Sequence, residues 1–507
     1  MMRSLFSGVS GLKSHQTRMD VIGNNIANVN TTGFKSSRTT FADTLSQTLT
    51  GASSPSGTLG GTNPKQVGLG TGVASIDTIF TDGSVQSTGK NTDLCLSGNG
   101  LFVVKQGNQT YYTRDGAFEF DEEGNYVLPG SGLYVQGWMA TDGALNTSSA
   151  VSNIQIPSGK SMGAKATSLA TYANNLNAAS LTIASMSGDS VTYAADQNNN
   201  VSITLSDGST ATATTGSYKI GDAYNGATIT ALSGGTVSGT ASATTPVTLT
   251  MSDGTTITQT SGTYTVGYSL PVTTTLTAYD ALGNAHSIPV YFTKTSVDST
   301  NGNTWTVSIN TDASGSATLN EDDGSVTTVT MADADLQFST EGRYKSGSGT
   351  VELTLTNGAT GSQTITLDLT SLTQYAGNST VNGTANGNAA GTLSSVSIDS
   401  SGIITGSYTN GVKQTEAQVA VAQFTNASGL TKTGNSLYEE SNNSGTANVK
   451  TATDLGVTIT PSALEMSNVD VADQFSDMII TQRGYQSNSK IITVGDEMLE
   501  TVINMKR

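Results

Sequence analysis

Near the N terminus apolar residues return at alternating steps of four and three, at Leu5, Val9, Leu12, Met19 and Ile26, with Gln16 and Gly23 in the remaining places of the rhythm. That is the spacing of a narrow coiled-coil seam. The C-terminal end repeats it at Val471, Phe475, Met478, Tyr485, Ile492, Leu499 and Ile503, interrupted by Gln482, Ser489 and Asp496. Both ends predict amphipathic helices that meet as a pair. After Pro461, Ser462 with Glu465 and Ser467 with Asp470 offer two capping-box-like starts for the second helix. The first helix is expected to stop in NVNTTGF, where Asn28, Asn30 and Gly33 suit turns and left-handed backbone. Gly8, Gly11 and Gly23 each cost about 1 kcal/mol of helix relative to Ala. Both ends are therefore expected to fray in an isolated monomer and to order against each other and against neighbouring subunits.

Between about residues 70 and 460 the period shifts to two, punctuated by TDGSV at 81–85, DEEGNY at 121–126, SDGST at 206–210, SDGTT at 252–256 and TNG at 409–411. Asp-Gly and Asn-Gly between alternating runs are hairpin signals, so the body reads as all β. One repeat is explicit: VSITLSDGSTATATTGSYKIG at 201–221 returns as VTLTMSDGTTITQTSGTYTVG at 247–267, offset by 46 residues. Two copies are too few for a stacked array, so the pair is read as an insertion that enlarges one domain on the outside of the molecule.

Composition sharpens this picture. Apolar residues are 35% and charged residues 12% of the 507, too few for a conventional enzyme with one thick core, and the length suggests about three domains. The polarity comes from Thr, Ser and Asn, which suits strands facing water. His15, His286 and Cys95 are the whole supply of imidazole and thiol, which leaves little for a soft-ligand metal site and nothing for an intramolecular disulfide. Cys95 sits in an alternating run and reads as a small buried hydrophobe, with a reactive thiol as the alternative. No stretch approaches a membrane span. The start, MMRSLFSGVSGLKSHQ, lacks the apolar h-region of a Sec signal, so another export route is expected. A net charge of −17 argues against a nucleic-acid partner. Charge is also uneven: the first helix segment is basic through Arg3, Lys13, Arg18, Lys35 and Arg38, and the last is acidic, as two helices that meet would favour.

Catalytic signatures are missing. GSVQSTGKN at 83–91 has the wrong glycine spacing for a phosphate loop, and DQNNNV at 196–201 lacks the Gly and the distal Glu of a calcium loop. There is no GxSxG elbow or triad context. Two carboxylates can converge from anywhere in a fold, but aromatics at 6% leave little for a sugar-stacking cleft. No catalytic, cofactor-binding or metal residues are expected, and no enzyme.

DVIGNNIANVNTTGFK at 20–35 resembles the N-terminal signature of the flagellar axial proteins, the rod, hook and hook-associated subunits, and LEMSNVDVADQFSDMIITQRGYQSNSKII at 464–492 resembles their C-terminal one. The family-motif residues so marked are Asn24, Asn25, Asn28, Gly33, Phe34, Ser467, Asn468, Val469, Gln482 and Arg483. TDLCLSGNGLFVV at 92–104, YTRDGAFEFDEEGNYVLPGSGLYVQGW at 112–138, YDALGNAHSIPVYFTK at 279–294, GSYTNG at 406–411 and AQFTNASGLTKTGNSLY at 422–438 are similar to the hook branch in particular. Departures are Cys95, where the pattern usually has a small residue such as Ala, and the duplicated insert.

The resemblance implies an α+β chain: paired, coiled-coil-like terminal helices and two predominantly β domains, the outer nested as an insertion in the inner. The expected layout is a terminal helical domain of 1–33 and 463–507, a linker at 34–75 packing between subunits, an inner β domain of 76–165 and 373–462, and an outer β domain of 166–372 with the insert around 187–267. It further implies a homopolymer forming a curved tube that transmits torque, export unfolded through the flagellar type III apparatus, and contact with the distal rod, the hook cap and the hook–filament junction proteins. The alternatives are a distal rod subunit, which would be shorter and rigid, and a secreted adhesin-like β protein, which would need a Sec signal and an anchor.

Overall fold

The structure, a computed structural model, describes residues 2–57, 60–311, 315–321, 324–359 and 361–505. Two helices, α1 (Met2–Ala27) and α2 (Val471–Asn504), bracket a body of strands. No helix among the described residues is long and apolar enough to cross a membrane. The chain divides into two compact units, one of Met1–Lys160 with Thr392–Arg507 and one of Ser161–Gly391.

The β part of the first unit is a large, mostly antiparallel sheet. Its spine runs Ile403–Tyr408, Lys413–Val419, Leu133–Thr141, Leu101–Gln106, Gln109–Thr113 and Leu437–Glu439. The run LFVV at 101–104 is apolar without alternation because both faces of its strand are covered. Phe102 and Val104 join Phe118, Tyr126, Val135 and Val419 on one side, while Leu101 and Val103 join Tyr112, Trp138 and Tyr438 on the other. Successive side chains point to opposite faces, so a strand buried twice must be apolar throughout. Within 34–75, expected as a linker, Ser37–Asp43 pairs antiparallel with Thr71–Thr78, and Ser46–Thr50 with Lys65–Gly68.

In the second unit, Val272–Tyr279, Ala285–Ser296, Thr304–Ser308 and Ala334–Phe338 form one sheet, and Gly349–Thr354, Ser362–Tyr375 and Leu169–Asn177 belong to another. Strict alternation along Ala285–Ser296 turns Ile288, Val290 and Phe292 into a core with Tyr172, Trp305, Phe338, Val351 and Ile365. One boundary needs correction. Residues 373–391, expected in the inner domain, belong with this unit, because Asn382–Ala385 pairs with Leu169–Asn177. The duplicated insert carries two small cores of its own, one around Val247 and Leu249 and one around Val201 and Ile203.

Candidate assembly site

The two helices run antiparallel. Leu5 lies against Gly495, Gly8 against Ile492 and Asn488, Gly11 against Asn488, and His15 against Gly484. Arg18 pairs with Asp477 at 3.0 Å, and the buried Asn25 amide donates to Gln474 at 3.0 Å. Among the described residues the helices thus meet through glycines, polar side chains, an ion pair and the apolar Leu5 and Ile492.

The contact overlaps the expected heptad rows only in part. Besides Leu5 and Ile492, which belong to the heptad rows, the contact positions 8, 11, 15, 18 and 25 on α1 and 474, 477, 484, 488 and 495 on α2 stand one residue before those rows. Small residues at 8, 11, 484 and 495 let the backbones approach where the apolar rows would hold them apart. One residue is about 100° around a helix. In an antiparallel pair, one step onward in each helix turns both displaced rows to the same side. Leu5, Leu12, Met19, Ile26, Met478, Ile492 and Leu499 are consequently half-buried, and Val9 (40%), Val471, Phe475 (50%), Tyr485 and Ile503 (66%) stand exposed. Ile491, Val494, Met498 and Val502 on α2 are exposed as well, and 491, 498 and 502 continue the phase of the contact positions toward the end of the helix.

Beneath the helices the chain is clasped by buried charge. After α1, the Asn28 amide donates to Asn24 O at 2.9 Å and accepts from Thr31 Oγ1 at 3.1 Å, which ends the helix as NVNTTGF predicts. Gly33 has φ +63 and donates its N–H to Glu465 O; a Cβ there would lie 2.5 Å from Asp115 N, so both the left-handed backbone and the close approach require glycine. Phe34 lies under Lys432 Nζ at 4.8 Å. Lys35 is fully buried and donates to Glu465 Oε1 at 2.6 Å and to Thr81 O at 2.7 Å. Glu465 Oε1 also accepts Gly83 N–H at 2.8 Å, and its Oε2 accepts from Arg114 at 3.1 Å. Arg114 also reaches Asp82, Leu96 O and Gly98 O. Asn468 accepts from Ser36 N–H at 2.8 Å and donates to Ile79 O at 2.9 Å, and Asn25 both donates to and accepts from the Ser37 backbone. Burial, then the charge of Arg114, lowers the Lys35 pKa against the pull of Glu465. The exit of α1, the approach to α2 and the bend at Arg114 that follows the strand Gln109–Thr113 are tied at one point.

Glu465 is therefore not a capping residue. It ends the strand Ala463–Glu465, paired with Val85–Ser87, while α2 starts at Val471 with Asp470 as N-cap, accepting from Ala472 N at 2.8 Å and Asp473 N at 3.3 Å. Ser467 is buried and its hydroxyl accepts from Val469 N at 3.4 Å in the preceding turn; Val469 is half-buried, and Asn24, Gln482 and Arg483 are exposed. Sequence reasoning missed the Lys35–Glu465–Arg114 cluster, although all three lie within the quoted family motifs. Cys95 is buried in Leu94–Ser97, and burial followed by the charge of Glu465 pushes its thiol up to about 11. That leaves it protonated and shielded at neutral pH.

Four family models match the chain: the flagella basal body rod protein at 5–35, the flagellar hook protein FlgE/F/G D1 domain at 95–186, the flagellar basal body protein FlaE D2 domain at 268–388, and the flagellar basal body rod FlgEFG protein C-terminal region at 460–505. Over the full length of both proteins the chain is 39% identical to the flagellar hook protein FlgE of Treponema pallidum and 36% identical to that of Borreliella burgdorferi. Similarity to the basal-body rod protein FlgG of Bacillus subtilis, 53% identical, covers 27% of this chain and 51% of that one.

Proposed function

We propose, from the premise that the chain belongs to the flagellar hook protein family and is a structural subunit of the bacterial flagellar hook, that its helix pair is an incomplete coiled coil finished by neighbouring copies. The observation that carries this is the apolar side chains left exposed on both helices, Val9 on α1 and Phe475, Tyr485 and Ile503 on α2. An exposed apolar surface of this extent calls for a partner, and in a homopolymer the partner is the next subunit. The helices of successive copies then build a torsionally stiff inner tube, with the 34–75 segment packed between subunits. The β domains, with the outer nested in the inner, surround it.

Outer contacts that are polar and wet slide reversibly, so the tube bends while it turns and acts as a universal joint between motor and filament. Supporting this is the Thr- and Asn-rich, acidic character of the body. The distal rod, the hook cap and the hook–filament junction proteins are the neighbours at its ends. The subunit reaches the cell exterior through the flagellar type III apparatus, for which marginal terminal helices are suited.

Phe475→Asp and Leu499→Asp test the reading. Electron microscopy of purified protein is expected to show no tubes, with the thermal unfolding of the β units unchanged. Normal curved hooks from either variant overturn it.

A further inference from the structure

The repeat in the insert extends beyond the two segments that alternation reveals. With the same offset of 46, Thr182, Ile183, Ser187, Gly188, Val191 and Ala195 match Thr228, Ile229, Ser233, Gly234, Val237 and Ala241. Each copy then holds five strands in one order. In the first copy they are Ile183–Ser187, Val191–Ala195, Val201–Leu205, Thr210–Ala213 and Gly216–Tyr218, and in the second Ala227–Gly234, Thr236–Ala241, Val247–Met251, Thr256–Gln259 and Gly262–Thr265.

Within each copy the third strand pairs with the fourth, and the second with the fifth: Val201↔Ala213 and Tyr193↔Tyr218 in one, Val247↔Gln259 and Gly239↔Tyr264 in the other. The first strands cross over. Ile183–Ser187 pairs with the third strand of the second copy (Met186↔Leu249, Ile183↔Met251), and Ala227–Gly234 pairs with the third strand of the first (Ile203↔Leu232, Leu205↔Ile229). These registers are equivalent residue by residue, including the irregularity before the last pair. Between the copies the second strands run antiparallel with Thr192 opposite Ser238, its own counterpart, and their hydroxyls 3.3 Å apart. A pseudo-two-fold axis passes through that pair.

Neither copy therefore owns a complete core. Ile183 and Met186 of the first are buried with Val247, Leu249 and Met251 of the second, and Ile229 and Leu232 of the second with Val201, Ile203 and Leu205 of the first. The connectors that carry each first strand across are short, residues 188–190 and Gly235, the latter at φ +67 with no room for a Cβ against Ala194 O. Short hinges favour exchange over folding back. We propose that this 46-residue repeat is a strand-exchanging homodimerisation module whose partner is another copy of itself, supplied here within the chain by duplication. A subunit with one copy takes its partner from a second subunit.

The insert leaves the domain at a single paired point, Thr182↔Ser269, so it can be halved without cutting the rest. The test uses the full chain with Cys95→Ala, Met186→Cys and Leu249→Cys, with and without deletion of 192–237, which joins Val191 to Ser238 and leaves one copy. Phe475→Asp is included throughout to separate the result from helix-driven polymerisation. After oxidation, denaturing gels are expected to show a covalent dimer for the single-copy chain and an internally linked monomer for the two-copy chain. A second deletion, of 201–246, guards against a damaged joint and is expected to behave alike. Internal links alone in both single-copy chains, or free thiols in both, overturn the proposal.

Discussion

Three donors converge on the Glu465 carboxylate, and two of them, Lys35 and Arg114, are cations with no access to water. Such a cluster adds little net stability over an apolar replacement, but removing one member strands the others. Glu465→Gln is expected to destabilise the first unit by about 3–5 kcal/mol in chemical denaturation. Asp82→Asn, at the half-exposed edge of the cluster, is expected to cost far less. In the second unit Asp280 is a comparable point. Burial raises its pKa, but hydrogen bonds from Asn284, Asn357 and His286 outweigh that and hold it at about 2. A carboxyl held below its unfolded value of 3.8 stabilises the fold at higher pH and loses that contribution as pH falls from about 4 to 2. The second unit is expected to lose about 2 kcal/mol across that window. An Asp280→Asn variant is expected to flatten the dependence, read from unfolding midpoints at each pH. Neither site announces itself in the sequence, where a Glu three residues after a Ser looks like a cap and Asp280 carries no local signal. The cap reading of Glu465 is locally reasonable, and only the distant partners show which carboxylate is buried.

At the scale of elements, the helix pair separates two roles that the heptad pattern merges. Glycines and polar side chains, with Leu5 and Ile492, make the intrachain contact, and much of the apolar rows lies beside it. Gly11→Leu would drive side-chain atoms into Asn488, which already lies 2.8 Å from an added Cβ. Overpacking of this kind costs about 1–3 kcal/mol, so amide exchange in α1 of the monomer is expected to speed by about one to two orders of magnitude. Val9→Asp, on the exposed row, is expected to leave that exchange unchanged and to prevent tube formation. The opposite pattern would return the heptad seam to the intrachain interface. The existence and approximate ends of both helices were legible from period and turn chemistry, since Asn28 and Gly33 act locally. The face each helix turns to its partner was not, because one residue of phase depends on how closely two backbones can approach.

For the whole molecule, the first and second units have separate cores, and the insert adds two more that share no residue with them. Replacing 183–268 by Asn-Gly, a two-residue hairpin turn between the paired Thr182 and Ser269, removes two backbone hydrogen bonds to the rest of the chain, Thr263 N to Thr311 O and Ser252 N to Thr182 O. The second unit is expected to keep its stability to within about 1 kcal/mol, measured by calorimetry, and the chain to assemble tubes. From the sequence alone came the terminal helices, the β body, the family and the presence of a duplication. Each is written in neighbouring residues, as a period, a turn or a motif. The tertiary structure decided which helix faces meet, which charges are buried, that residues 373–391 belong to the second unit, and that the two copies exchange their first strands. These are choices among partners equally acceptable to the local chain, and they are settled by packing between residues far apart in sequence.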